Sequence, residues 1–582
     1  MKKFTMLAAA SVVAAGCGGG GSNGYAFIPA PAAPPPAQAT VTDDCAAVPG
    51  AAAAAPSSAA LPLVLQTIKV NGEDRQYYEY APRDVAALRD QDARGVEVVV
   101  SLHRAGQSAE DNARLTGWPT LAEEKGFVAI FPVAKPTGWN TAKDTARSDD
   151  HAFIVAAAAA VRTRYGLPST MSTFLTGAGS GGVMAQELAM RELGVMATGV
   201  ASFGAAAEPA TLNLPAESLP RTAMAVWQFQ CGADPFAKQT GFWRQANATD
   251  AQNQQAVGDL PTVTDFVKDN PVQQVRLSRL DRPAESPAIS RLVWEELFGK
   301  VVRFPDNKSY NGTLHAEKSI ADMGLTETIK SLRPGEPRRW LTYVPPQYQK
   351  LVAEGKKLPL LFSFHGRNGS ARFQAEISEW HDVARDEGFI VVYPHGLKAT
   401  WTTSIDADNP DVQFFLDLLE EMKRTYQIDD GRVFLNGSSQ GTALTNRIAV
   451  QYPQLFAAIA PCYSGHLSAA SYANPIVRTD IALPVWQCRG EQELPSEFPG
   501  GTAGETAART FWRETVNQNF SSPAIAIDGR RTTEIWNSGR AEYRWQITSD
   551  IGHAWHPGQA RKMWDEMLKR YRRNPDGSLQ RL

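Results

Sequence analysis

The chain carries almost no surplus of either charge: 58 Lys and Arg stand against 61 Asp and Glu, a net of −3 over 582 residues. Nucleic acid as the main partner would want a basic excess, so that class is excluded. Five cysteines and nine histidines are few for the length. They fall in no metal-ligand spacing, and neither a Walker loop nor a dinucleotide fingerprint occurs, so neither a metal nor a nucleotide cofactor is implied. Beyond the first residues no run of about 18 apolar residues appears, which excludes an ordinary spanning helix. Apolar residues are nonetheless 43% and aromatics 9% of the chain, too many for global disorder. The length is roughly twice what one hydrophobic core serves, so two domains are expected.

Lys2 and Lys3 precede an apolar run from Phe4 to Ala15, the layout of an export signal. It ends in Ala14-Ala15-Gly16-Cys17, which is similar to a bacterial lipobox. Residues 1–16 are therefore expected to be a lipoprotein signal peptide, with lipidation at Cys17. The Ala, Pro, Gly and Ser-rich residues 17–60 read as a tether. The expected location is an outer-membrane lipid anchor facing the periplasm or cell surface, or plain secretion, with membrane contact through the lipid only. An exported compartment permits disulfides among Cys45, Cys231, Cys462 and Cys488. Cys462 with Cys488 is favoured because each sits near the end of an expected neighbouring strand. That leaves Cys45 with Cys231, and buried free thiols are the other reading.

The two halves of the chain match in order. Arg75–Pro82 answers Arg338–Pro345, Val98–His103 answers Leu360–His365, and Gly126–Pro132 answers Gly388–Pro394. Phe174-Leu175-Thr176-Gly177 answers Phe434-Leu435-Asn436-Gly437, and Val226-Trp227-Gln228 answers Val485-Trp486-Gln487. Phe242-Trp243-Arg244 pairs with Phe511-Trp512-Arg513, and Trp294–Leu297 with Trp564–Met567. Blocks in one order at slowly drifting offsets indicate a tandem duplication. Each half alternates short apolar runs with amphipathic stretches. In the second half the expected strands are Leu358–Phe364, Ile390–Tyr393, Val433–Asn436, Ala457–Ala460, Pro484–Gln487 and Tyr543–Thr548. Helices are expected over Val412–Tyr426, Thr442–Tyr452 and Ala507–Asn517. This pattern means a mostly parallel sheet with helices on both faces. The domains are expected at 61–304 and 337–582, joined by a linker at 305–336.

Strand Val433–Asn436 runs into Gly437-Ser438-Ser439-Gln440-Gly441 and at once into a helix, the strand–turn–helix setting of a nucleophile elbow. The turn is too tight for a Cβ on either side of the serine. A serine hydroxyl needs a base, and in such folds the chain order is Ser, acid, His. His553, in Gly552-His553-Ala554-Trp555 after the last strand, has the right order among the three later histidines, His466, His553 and His556. The acid should follow strand Pro484–Gln487. No Asp is there, so Glu493 is chosen, with Glu491 and Glu497 behind it. The oxyanion needs two amide donors: that of Gln440, and that of Arg367 in the loop His365-Gly366-Arg367-Asn368-Gly369.

These motifs, with Glu387–Pro394, Tyr426–Asp429, Arg432–Ser439 and Phe456-Ala457-Ala458 in the same order, resemble the polyhydroxybutyrate depolymerase family and its feruloyl and acetylxylan esterase relatives. The resemblance covers almost all of the second half. It implies two tandem α/β-hydrolase domains, Ser439 as nucleophile and His553 as base. The chain departs from the family pattern at Arg367, where a Cys is usual, and at the acid, where Asp is usual. The expected activity is hydrolysis of hydroxyalkanoate polymers or oligomers. Feruloyl or acetyl esters of plant polysaccharide are the alternative, and a non-catalytic ligand-binding lipoprotein the rival from another class. In the first half the elbow position falls on Gly179, within Gly177-Ala178-Gly179-Ser180-Gly181; His103 is followed by Arg104; and no histidine lies between Ala152 and Leu314. Only Asp234 survives as an orphan acid. The first domain is expected to be a degenerate copy.

Overall fold

In the computed structural model the described residues are Cys45 and, with short gaps, residues 62–582; the gaps are 92–95, 142–148, 167–172, 192–196, 208–222, 232–235, 250, 269, 281–283, 305–312 and 336. The expected signal peptide, Cys17, the tether and Asp234 lie outside them.

The first lobe's strands are β1 (Val64–Val70), β2 (Glu73–Tyr80), β3 (Val98–Leu102), β4 (Val128–Pro132), β5 (Thr173–Ala178), β6 (Gly199–Phe203), β7 (Ala225–Gln230), β8 (Ala251–Val257), β9 (Leu260–Val267) and β10 (Val275–Arg279). They form one sheet in the order β1-β2-β4-β3-β5-β6-β7-β10-β9-β8. A small hairpin, β11 (Val301–Phe304) with β12 (Thr313–Ala316), closes this lobe. The second lobe follows with β13 (Leu325–Lys330), β14 (Arg338–Tyr343), β15 (Leu358–Phe364), β16 (Ile390–His395), β17 (Ile428–Ser438), β18 (Ala458–Cys462), β19 (Val485–Gly490), β20 (Ala524–Asp528), β21 (Arg531–Trp536) and β22 (Tyr543–Thr548). Its order, β13-β14-β16-β15-β17-β18-β19-β22-β21-β20, repeats that of the first sheet strand for strand. In each, the six central strands are parallel and an antiparallel pair sits at either end. The chain is therefore two α/β-hydrolase lobes in tandem.

Residues alternate between the faces of the sheet. Leu360, Phe362 and Leu435 pack on one side with Phe415, Leu418, Leu444, Ile448 and Trp512. Leu361, Val391 and Phe434 pack on the other with Trp380, Val383 and Trp564. Both faces are dry, which is why these strands read as continuous apolar runs rather than as alternation. The helices between them start on clear signals. Asn409 caps helix Pro410–Thr425 by accepting from the Asp411 and Val412 amides, with Pro410 at its first position.

Three expectations shift. β17 begins at Ile428, five residues before Val433, because Ile428 pairs with Leu358 across a register shift. The helix expected over Ala507–Asn517 is instead Gly501–Thr510 continued by a π turn, Phe511–Val516. The boundaries set at 305–336 and 337 also move. β12 lies within that linker and pairs back onto the first lobe, while β13 pairs with β14 and is the second sheet's edge. Leu325–Lys330 escapes notice because an edge strand buries little: of its six residues only Leu325 is buried.

Candidate active site

The strand–helix turn is built from close approaches. A Cβ on Gly437 would sit 2.6 Å from Thr445 Oγ1, and one on Gly441 would run into the Phe364 and His365 carbonyls, so neither position admits a side chain. Between them Ser439 is held at φ 56°, ψ −118°, and helix Gln440–Gln451 begins at the next residue. A non-glycine residue in such a conformation is costly and persists only where its surroundings impose it. Here they do. The Ser439 amide donates to the Cys462 carbonyl at 3.4 Å, and Gly366 lies against the Ser439 side chain, leaving 3.1 Å from a notional Cβ to that of the serine. The Gln440 side chain is committed elsewhere: its Oε1 accepts from Thr400 and the Trp401 amide, and its Nε2 donates to the Trp401 carbonyl.

Glu493 follows β19 and is buried. Its Oε2 lies 3.3 Å from His553 Nδ1 and accepts from the Ser464 amide at 2.7 Å, while Oε1 accepts from the Gly490 amide at 2.9 Å. Burial alone would push this carboxyl up. The His553 contact and the two amides outweigh it and hold the group below its ordinary value, so it stays ionised. The other two candidate acids are not brought to the histidine. Glu491 is exposed and accepts from the Asp550 amide, and Glu497 sits exposed in the turn Pro495–Glu497. Phe498 stacks on the His553 ring, with centroids 4.1 Å apart.

The segment Tyr463-Ser464-Gly465, right after β18, joins these pieces and was not singled out in the sequence. Gly465 (φ 140°) packs against the Ser439 backbone, where no Cβ fits. Ser464 supplies the amide that holds Glu493. Tyr463 (φ 64°) accepts from the His556 amide at 2.9 Å, its ring edge-on to His553. A glycine three residues after the end of an apolar strand run was the available signal. His466, next in line, is buried and held down to about 4, chiefly by burial.

His365 opens the loop after β15 and is fully enclosed. Its Nε2 accepts from the Gly396 amide at 2.9 Å, so Nδ1 carries the proton and donates to the Gly366 carbonyl at 2.7 Å. Burial, with a smaller push from His395, drops it to about 3. It is a neutral strut that shapes the loop. In that loop the amides of Asn368 and Gly369 are spent on the Ala399 and Gly366 carbonyls, and Arg367 is exposed.

The first lobe repeats this backbone scaffold, with Gly179 where the second lobe has Ser439. Gly179 takes the elbow conformation (φ 54°) and donates to the Phe203 carbonyl at 2.9 Å, as Ser439 does to Cys462. His103 accepts from the Ala134 amide and its carbonyl takes Trp139 Nε1, matching His365 with Gly396 and Trp401. Where the second lobe has Gly366, Arg104 forms an ion pair with Glu285 at 2.8 Å, both side chains largely buried. The described cysteines form two disulfides, Cys45–Cys231 and Cys462–Cys488. Among the described residues no group of three or more His, Cys, Asp or Glu is placed to hold a metal ion, and no helix is long and apolar enough to cross a membrane.

No family model matches the chain. Among curated proteins it is 36% identical over 116 residues to a bifunctional acetylxylan esterase/xylanase of Neocallimastix patriciarum, covering 20% of this chain and 17% of that one. It is 28% identical over 220 residues to feruloyl esterase B of Talaromyces funiculosus (35% and 59%), and 28% identical over 249 residues to feruloyl esterase B of Neurospora crassa (37% and 82%). The chain thus spans less than two thirds of the first two of these relatives. An acetyl xylan esterase structure from Aspergillus awamori aligns over 41% of this chain and 98% of its own at 17% identity, with a TM-score of 0.33. The fold is that of α/β-hydrolases, and the curated relatives are carboxylic ester hydrolases.

Proposed function

We propose that the protein is an exported serine esterase whose second lobe is catalytic and whose first lobe is a degenerate copy of it. The observation that carries this reading is the imposed turn at Ser439, at the strand–helix junction, in the lobe that also holds a His553–Glu493 pair. Ser439 Oγ attacks the ester carbonyl while His553 Nε2, on the ring edge opposite Glu493, takes its proton. The same histidine then protonates the leaving alcohol, and water clears the acyl-enzyme by the reverse path. Glu493 fixes the tautomer with the proton on Nδ1 and stabilises the imidazolium. The Gln440 amide, first in its helix, and the Arg367 amide, in the loop after β15, are the oxyanion donors.

The repeated sheet order, the two elbows and the matched His103 and His365 cages support duplication. The domains are proposed at 61–304 and 337–582, the second extended back to include β13. Two disulfides support an oxidising compartment, consistent with export and an anchor at Cys17. Two ester classes compete. The motifs favour hydroxyalkanoate polymers or oligomers, and the names of the curated relatives favour feruloyl and acetyl esters of polysaccharide.

Hydrolysis of p-nitrophenyl butyrate and labelling by a serine-reactive phosphonate test the activity. Ser439→Ala should abolish labelling and cut turnover by several orders of magnitude. Near-normal turnover in that variant would refute the reading. Release of hydroxybutyrate, ferulate or acetate from the respective substrates decides between the ester classes.

A further inference from the structure

β18 and β19 are neighbouring parallel strands, and the Cys462–Cys488 bond joins them at directly paired positions, where both strands are close to their ends. What leaves those ends is the candidate site. The Cys462 carbonyl accepts from the Ser439 amide and the Thr442 hydroxyl, so it holds the turn from below. The Cys488 carbonyl accepts from the Tyr463 amide at 2.7 Å. Past Cys462 the chain supplies the Ser464 amide to Glu493 and lays Gly465 on Ser439; past Cys488 it supplies the Gly490 amide and then Glu493 itself. The acid therefore hangs from both strands, immediately beyond the bond that couples them.

The first lobe offers an internal control. At the same paired positions, Phe203 on β6 and Phe229 on β7, it has stacked rings with centroids 4.6 Å apart. The same strands pair, and the Gly179 amide still reaches the Phe203 carbonyl. Strand pairing at this point thus needs no covalent bond in this fold. The bond is present in the lobe with a serine at the elbow and replaced by packing in the lobe without one. The other disulfide among the described residues, Cys45–Cys231, ties Cys45 to the residue after β7 and joins no part of the second lobe.

We propose that the Cys462–Cys488 disulfide is a positioning bond for the reaction, fixing Glu493 against His553 and the Cys462 carbonyl under Ser439. This rests on the esterase reading above. In the full chain, Cys462→Val with Cys488→Val fills the space without the bond. The expected result is a folded protein, by circular dichroism and thermal unfolding, whose kcat falls about tenfold to a hundredfold with little change in KM. If the bond acts through the acid, its loss should cost much less in a Glu493→Gln background, since groups acting as a unit are not additive. Should the valine variant not fold, the same readings come from Cys45→Ala/Cys231→Ala protein treated with a dithiol and then alkylated. Two electrons and two protons convert Cys462–Cys488 to two thiols while the dithiol becomes a disulfide. A normal kcat, or an equal loss in both backgrounds, overturns the inference. Phosphonate labelling of Ser439 in the wild type separates the two questions: without labelling or ester hydrolysis, the esterase reading fails and takes this inference with it.

Discussion

At the scale of single residues, environment rather than residue type decides which glutamate is proposed as the acid. Glu491, Glu493 and Glu497 share one loop, but only Glu493 is buried with two amides and the His553 ring upon it. Glu493→Gln should lower kcat by on the order of a thousandfold or more, because the amide no longer fixes the working tautomer. Glu491→Gln keeps an oxygen acceptor for the Asp550 amide and should leave kcat unchanged. Equal losses in the two variants would show that the loop, not the carboxylate, matters. Buried neutral histidines set a second expectation. The folded pKa of His365, about 3, lies below the ordinary value near 6.5. Between those limits the unfolded chain binds the extra proton, so stability falls as pH drops below about 6.5, by up to roughly 1.4 kcal/mol per pH unit from this residue. His365→Gln should flatten the fall of melting temperature between about pH 6 and 4. His381 and His466, each held near 4, will keep part of the slope. Ser439, His553 and Glu493 were legible as candidates because chain order and strand context constrain them. The amides of Ser464 and Gly490 were not, since any residue type has one and only the fold aims it.

At the scale of elements, the turn at Gly179 has the backbone conformation of the Ser439 turn without its hydroxyl. Gly181 of the first lobe is pressed against the Leu102 and His103 carbonyls just as Gly441 is against those of Phe364 and His365. The turn is thus kept by packing between strand and helix even where Gly179 offers no hydroxyl. At the place of Gly366 this lobe carries Arg104, paired with Glu285. Gly179→Ser should therefore gain neither phosphonate labelling nor ester hydrolysis in a Ser439→Ala background, and Arg104→Gly added to it should not change that, because the sequence has no histidine from Ala152 to Leu314, where a counterpart of His553 would fall. Turnover in either variant would mean that the first lobe retains a base. The central strands could be read directly, being apolar on both faces. β13 and β12 could not, because a strand at an edge or in a small hairpin leaves only a short, half-polar pattern.

At the scale of the whole molecule, the buried clusters fall into two sets that share no residue across the connection. Two lie entirely between Cys45 and Leu314, and two between Met323 and Tyr571. A unit with its own core can fold alone. The second set begins within the segment expected to be linker, where Glu317 and the Lys318 carbonyl are gripped by Arg372 of helix Ala371–Ser378. A chain of residues 317–582 should therefore fold, stay soluble and hydrolyse p-nitrophenyl butyrate with the kcat/KM of the full protein. A chain of residues 337–582 starts one residue before β14 and removes β13, stripping β14 (Arg338–Tyr343) of one of its two hydrogen-bonded neighbours and exposing Tyr343 and Leu341 near a bare edge. Unpaired edges recruit other chains, so the shorter protein should melt lower and aggregate on concentration. Thermal unfolding and light scattering on the two chains compare them directly. Equal behaviour would make β13 dispensable, and failure of the longer chain would give the first lobe a supporting role that its separate core does not suggest.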